Sequence, residues 1–234
     1  MRLSGIAKNS AVDYPGKLAA TLFTPGCNYD CFYCHNRELL QANAPHLSLD
    51  EVLGFLKKRI GMLDGVVISG GEPTLQQDLA DFIRLLNDMG YPVKLDTNGS
   101  NPAVVEVLLA QNLLDYVALD YKAPFARYGE LCGGSAGQDA QAVMRTMQLL
   151  SQHLGADNWQ LRTTVAPTLK ESDILTMARE LPVQAHCWVF NRYRIPQGYD
   201  DARLTLPTLT KQQLEGIFEE LREVAGVVRL EYVG

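Results

Sequence analysis

The chain has 234 residues, 47% hydrophobic and 21% charged, with 19 glycines and 11 prolines, which excludes an extended disordered chain or fibrous repeat and suits one compact domain. A formal charge of −6, from 21 basic and 27 acidic residues with no concentrated basic segment, argues against nucleic acid as a partner. No apolar run of about 18 residues is present to cross a bilayer, and residues 1–9 have too little apolar length for a secretory signal, so a cytoplasmic protein without membrane contact is expected.

In chain order, short apolar, β-branched runs alternate with longer stretches of helical period, the pattern of βα units on a parallel sheet. Strands are predicted at 18–23, 66–69, 93–96, 116–120, 160–165 and 187–190. A capping box of Ser48 and Glu51 opens a helix running toward Ile60. Leu79, Phe82, Ile83, Leu86 and Met89 form one stripe of a helix over 78–89, stopped by Gly90. Further helices are predicted at 102–111, 139–153, 172–181 and 211–224, and 227–232 alternates like an edge strand. Six βα units in this length, against the about 250 residues of a closed eightfold barrel, predict an α/β fold: an incomplete, laterally open (βα)6 partial TIM barrel. No repeat or linker divides the chain. A single domain over 1–234 is expected, with its core at about 16–191 and with 1–15 and 205–234 as extensions.

In such folds ligands bind beyond the carboxyl ends of the strands. The first strand runs into Thr24-Pro25-Gly26-Cys27-Asn28-Tyr29-Asp30-Cys31-Phe32-Tyr33-Cys34-His35-Asn36, a CxxxCxxC loop. Three thiolates at this spacing suit an iron–sulfur cluster or zinc, and a closed site of either kind takes four ligands, so a fourth position stands open. Two other readings compete: zinc completed by His35, Cys132 or Cys187, and c-type haem at Cys31-Phe32-Tyr33-Cys34-His35, which requires export. The second strand ends in Ser69-Gly70-Gly71-Glu72-Pro73, where two glycines let a ligand approach the backbone or simply form a βα turn. Asp96-Thr97-Asn98-Gly99 and Asp120-Tyr121-Lys122-Ala123-Pro124 end the third and fourth strands. Cys132 and Cys187 read as structural thiols, and Trp159 and Trp188 as packing residues.

The CxxxCxxC loop with Tyr33 before its last cysteine, followed one unit later by Gly-Gly-Glu-Pro, resembles the radical S-adenosylmethionine (SAM) superfamily. Val12-Asp13-Tyr14-Pro15-Gly16, His35-Asn36 and the two later strand ends narrow the resemblance to glycyl-radical-enzyme activases, above all those of anaerobic ribonucleoside-triphosphate reductase. It covers about residues 6–128. The resemblance implies that Cys27, Cys31 and Cys34 bind three irons of a 4Fe-4S cluster and that SAM chelates the fourth through its amino and carboxylate groups. It places Gly70, Gly71 and Glu72 at the methionine end of SAM and Tyr33 at the adenine. Asp96, Thr97 and Asn98 fall at the methionine and ribose region, and Asp120 and Lys122 beside the carboxylate. Asp96, Thr97 and Asp120 are also implied in holding a monovalent cation.

The implied reaction is one-electron cleavage of SAM to methionine and a 5′-deoxyadenosyl radical, which takes hydrogen from a glycine Cα of a large partner enzyme. Iron–sulfur potentials span roughly −700 to +450 mV, and this step needs the low end, hence a strong donor such as reduced flavodoxin. Asp13 is a candidate for touching the partner's glycine loop or, equally, an ordinary turn residue. Arg162 on the fifth strand is a candidate to reach the site. No side-chain nucleophile or general base is assigned. Residues 36–66 carry no cysteine for a second cluster, and Phe190-Asn191-Arg192-Tyr193 stands where the pyruvate formate-lyase activases have a histidine. Alternatives are the activase of another glycyl radical enzyme, a small-molecule radical SAM enzyme such as one of carboxydeazaguanine synthesis, or a non-catalytic zinc or electron-transfer module.

Overall fold

The computed structural model describes residues 1–133, 138–227 and 229–233. An antiparallel hairpin of β1 (Gly5–Tyr14) and β2 (Lys17–Thr24) turns at Pro15-Gly16. There follow α1 (Leu49–Lys57), β3 (Gly65–Gly70), α2 (Leu79–Asp88), β4 (Val93–Thr97), α3 (Pro102–Ala110), β5 (Tyr116–Asp120), α4 (Tyr128–Cys132) and α5 (Ala140–His153). The chain ends with β6 (Trp159–Val165), α6 (Glu171–Glu180), β7 (Cys187–Arg192), α7 (Lys211–Ala225) and β8 (Arg229–Val233). Strand order in the sheet follows chain order, β1 to β8. The pairs β2–β3, β3–β4, β6–β7 and β7–β8 are parallel.

All six predicted strands are present. The edge segment of 227–232 is realised as β8, parallel to β7 with Arg229 opposite Cys187, while Val228 lies outside the described residues. The sequence did not announce β1. Its residues alternate poorly between buried and exposed, and its register with β2 shifts between Ala7 and Ser10 and again before Tyr14, so no period of two survives. At α1 the Ser48 hydroxyl accepts the Glu51 N–H at 3.4 Å, one half of the expected box among the described residues. That helix stops at Lys57, where the Lys58 and Arg59 amides close tight turns onto Gly54 and Leu56, short of the expected Ile60. Gly90, at φ +85°, stops α2 as expected.

The contacts gather the chain into two compact units. One comprises Met1–Asn28, Glu38–Thr97 and Ala103–Ala118; the other comprises Tyr29–Arg37, Asn98–Pro102 and Leu119–Gly234. In the first, β3 carries the apolar run Val66-Val67-Ile68, β4 is buried along its whole length although it holds Lys94, Asp96 and Thr97, and α2 buries Leu79, Phe82, Ile83 and Leu86. In the second, the rings of Tyr121, Trp188, Phe190 and Phe218 stack in series, with centroids 6.0, 5.0 and 6.3 Å apart. The Trp188 indole N–H donates to the Thr163 hydroxyl at 2.9 Å, and that hydroxyl donates to the Tyr121 carbonyl at 2.6 Å. Trp188 is thus the packing residue the sequence predicts. Trp188→Ala is expected to destabilise the fold by about 3–5 kcal/mol, a fall of roughly 6–20 °C in a thermal melt.

Candidate active site

In the first unit, the end of β3 is bound to the end of β2. The Gly71 N–H donates to the Thr24 carbonyl and the Glu72 N–H to the Gly26 carbonyl, both at 2.8 Å. Gly70 has φ +115°, and a Cβ on Gly71 would overlap the Gly26 carbonyl oxygen and lie 3.0 Å from that of Leu39. The glycine pair therefore lets two backbones meet. This fixes the stem of the cysteine loop, where the Gly26 and Cys27 amides donate to the carbonyls of Leu39 (2.8 Å) and Leu40 (3.2 Å).

Glu72 is fully buried, and its Oε1 accepts the Thr74 N–H (3.1 Å), the Thr74 hydroxyl (2.6 Å) and the Thr97 hydroxyl (2.8 Å). It braces the end of β3 against the end of β4. Asp96 accepts the Ser69 hydroxyl at 3.0 Å and is paired with the ammonium of Lys94, which is only 1% exposed. Residues 94 and 96 share a strand face because side chains alternate with a period of two. The sequence reading missed Lys94. The available signal was a lysine two positions before an aspartate in an otherwise apolar strand. An ammonium group thus already faces the carboxylate at which the resemblance places a monovalent cation. Asp13 accepts the Thr21 hydroxyl at 2.6 Å across the hairpin, the local role open to it as a turn residue.

In the second unit, the cysteine loop pairs with the end of α4. The Asp30 N–H donates to the Cys132 carbonyl at 2.9 Å, the Phe32 N–H to the Leu131 carbonyl at 3.3 Å, and the Cys34 N–H to the Cys31 carbonyl at 3.0 Å. Two arginines strap the loop from outside. Arg37 donates to the Cys31 carbonyl (3.1 Å) and to Asp30 (2.8 Å), with its guanidinium 3.5 Å from the Tyr199 ring centre. Arg203, held by Asp201, lies 4.0 Å over the ring of Phe32. The Tyr33 ring packs edge-on against Phe32, and its hydroxyl is buried without a hydrogen-bond partner among the described residues. Asn98 accepts both the N–H (2.9 Å) and the hydroxyl (2.6 Å) of Ser100, forming the turn that leads into α3.

At the end of β5, Asp120 lies between two cations, accepting Arg162 Nε at 2.7 Å and Lys122 Nζ at 3.1 Å. Burial pushes its carboxyl up, but the charges and hydrogen bonds of Arg162 and Lys122 outweigh this and hold it well below the usual carboxylate range. A depressed carboxyl contributes stability above its unfolded pKa, about 4, and loses it only as pH falls through the lower folded value. Asp120→Asn is therefore expected to lose about 1–3 kcal/mol, unchanged from pH 5 to 8, with the gap to wild type closing only on strong acidification in paired melts.

Among the described residues no three His, Cys, Asp or Glu side chains converge closely enough to hold a single metal ion. A 4Fe-4S cluster makes no such demand, since each thiolate takes a different iron. The donor set of three cysteines on one backbone-anchored loop fits it. Cys187 instead lies 3.3 Å from Arg229 Nε, consistent with a structural thiol. No helix among the described residues is long and apolar enough to cross a membrane.

Residues 21–181 match the radical SAM superfamily. A Methanocaldococcus jannaschii protein named "Putative glycyl-radical enzyme activating enzyme MJ1227" is 32% identical over 91% of this chain and 88% of its own length. A "Pyruvate formate-lyase-activating enzyme" of Clostridium pasteurianum is 28% identical over 73% of this chain and 71% of its own. Among solved structures, "Native anSMEcpe with bound AdoMet" superposes with a TM-score of 0.65 at 18% identity, covering 89% of this chain and 62% of that one. At that identity the likeness shows the fold, the partial (βα) barrel expected from the sequence. The chain belongs to the radical SAM superfamily, whose cofactors are a 4Fe-4S cluster and SAM, and within it to the glycyl-radical-enzyme activating enzymes.

Proposed function

We propose that this enzyme installs a glycyl radical on anaerobic ribonucleoside-triphosphate reductase, receiving its electron from a low-potential donor such as reduced flavodoxin in the cytoplasm. The observation that carries the activase reading is the joining of the cysteine-loop stem to the Gly70-Gly71 turn through main-chain bonds, which builds a cofactor cradle from backbone. Cys27, Cys31 and Cys34 hold the cluster. The N–H groups of Gly71 and Glu72 are already used within the protein, which leaves the carbonyls of the glycine pair to accept from the SAM ammonium. Lys122 neutralises the SAM carboxylate, while Asp120 and Arg162 fix its position. Asp96, Thr97 and Asn98 border the methionine and ribose region, with Glu72 and Ser100 orienting them, and the Tyr33 main chain meets the adenine. The bound cofactors supply a 5′-deoxyadenosyl radical by one-electron cleavage of the sulfonium; the chain's own residues position them and exclude water. Asp13, already held by Thr21, is assigned no partner contact.

The similarity to a pyruvate formate-lyase-activating enzyme favours a second reading, in which the partner is a lyase of that kind. The two separate when reduced protein and SAM are mixed with each candidate partner. A glycine-centred electron paramagnetic resonance doublet is expected on the reductase. A doublet on the lyase alone overturns the assignment of partner, and no 5′-deoxyadenosine from SAM in any mixture overturns the activase reading.

A further inference from the structure

Among the described residues Lys94 is the only basic side chain that is buried, and it lies on β4 on the same strand face as Asp96. A buried ammonium is costly unless a carboxylate faces it, and an apolar residue would pack this strand without that cost. Lys94 pairs with Asp96 Oδ1, while Asp96 Oδ2 accepts the Ser69 hydroxyl at 3.0 Å. The Thr97 hydroxyl donates to Glu72 at 2.8 Å. In the second unit, Asp120 has one oxygen on Arg162 and the other on Lys122. Asp96, Thr97 and Asp120 are the residues that the resemblance implies for a monovalent cation. Such an ion binds oxygens whose charge nothing else offsets. Here each carboxylate already carries a cation of the chain's own, and a further positive charge beside a fixed ammonium or guanidinium is repelled. The residues present do not fit the ion.

We propose that Lys94 takes the place of that ion: its ammonium is a built-in counter-charge that positions the Asp96 carboxylate, and the enzyme binds SAM without sodium or potassium. The proposal rests on the reading above that Asp96 borders the methionine and ribose region of SAM. Lys94 is a positioning residue, acting on SAM only through Asp96. Its charge, carried two residues away on the same strand, cannot dissociate as a bound ion does, and the ammonium offers N–H donors where an ion offers none. The Ser69 hydroxyl fixes the second oxygen, so the carboxylate keeps one orientation whatever the sodium or potassium concentration. SAM affinity is then set by the fold and not by the salt around it.

The test uses the full-length chain, loaded with its cluster under argon. SAM is titrated calorimetrically in potassium chloride and in tetramethylammonium chloride at equal ionic strength, the second cation being too large for a carboxylate site. Wild type is expected to bind SAM equally in the two salts, within about twofold. Lys94→Ala removes the ammonium and leaves its space open beside Asp96, which is itself 8% exposed. This variant is expected to bind SAM about tenfold more weakly in tetramethylammonium and to regain affinity as potassium is added, a dependence that a merely structural lysine would not produce. Melts of the cluster-free chains give a readout without SAM: potassium should raise the melting temperature of Lys94→Ala and leave wild type and the double variant Lys94→Ala/Asp96→Asn unmoved. Wild-type SAM binding that falls about tenfold or more without potassium would overturn the proposal whether or not the variant folds. So would a folded Lys94→Ala chain that responds to potassium no more than wild type. Absence of SAM binding by loaded wild type in both salts counts against the activase reading instead, and the melts then decide the role of Lys94.

Discussion

Gly71→Ala is expected to destabilise the chain by about 3 kcal/mol or more, lowering the melting temperature by roughly 6–12 °C, and to abolish SAM binding. The added Cβ would overlap the Gly26 carbonyl oxygen and crowd that of Leu39, and neither can swing aside as a side chain would. Relief requires β3 to part from the stem of the cysteine loop, breaking the bonds from Gly71 to Thr24 and from Glu72 to Gly26. Gly54 provides the contrast. It lies inside α1 with no heavy atom near a built Cβ, so Gly54→Ala is expected to stabilise the chain by about 0.5–1 kcal/mol. Paired thermal melts and isothermal titration with SAM check both. A Gly71→Ala chain that melts with wild type would show that the backbone contact does not matter.

Cys34→Ala is expected to reduce bound iron and 5′-deoxyadenosine production to background under reducing, anaerobic conditions, whereas Cys187→Ala leaves both near wild type. With only three cysteines on the loop, loss of one leaves two, too few for the cluster. Cys187 sits in the apolar run of β7 beside Arg229, which has a second partner in Glu231 at 2.9 Å. Burial and the neighbouring Cys31 push the Cys34 thiol up, so it is neutral before iron arrives and must release its proton on binding. Iron loading is therefore expected to rise with pH, as iron-to-protein ratios across a pH series would show.

Much of the fold was legible because parallel strands and their covering helices write clear patterns. The run of Val66 to Ile68 and the stripe of Leu79, Phe82, Ile83 and Leu86 each have one physical reading. β1 was hidden because a bulged edge strand exposed on both faces has no period to detect. The candidate site was legible as residue types at strand ends, since topology puts chemistry there. The bonds each side chain makes were not. Glu72 reads from sequence as lining a ligand, yet its carboxylate is taken up by Thr74 and Thr97, a partnership that depends on how two strand ends meet. Lys94 reads from sequence as an ordinary polar position of a short strand, yet it is buried and paired with Asp96. The end of α4 meets the cysteine loop through bonds from Asp30 to Cys132 and from Phe32 to Leu131, a sequence separation that no local pattern spans.

The two arginine straps bear on the order in which the protein can mature. The cysteine loop leaves the ribosome early, but Tyr199, Asp201 and Arg203, which hold Arg37 and Phe32 in place, are made some 165 residues later. A nascent chain lacking them still has the main-chain partners of the loop in Leu39, Leu40 and the end of α4, but not the groups that cover Arg37 and Phe32. The outer layer over the cysteine loop is therefore completed last, by the C-terminal part of the chain.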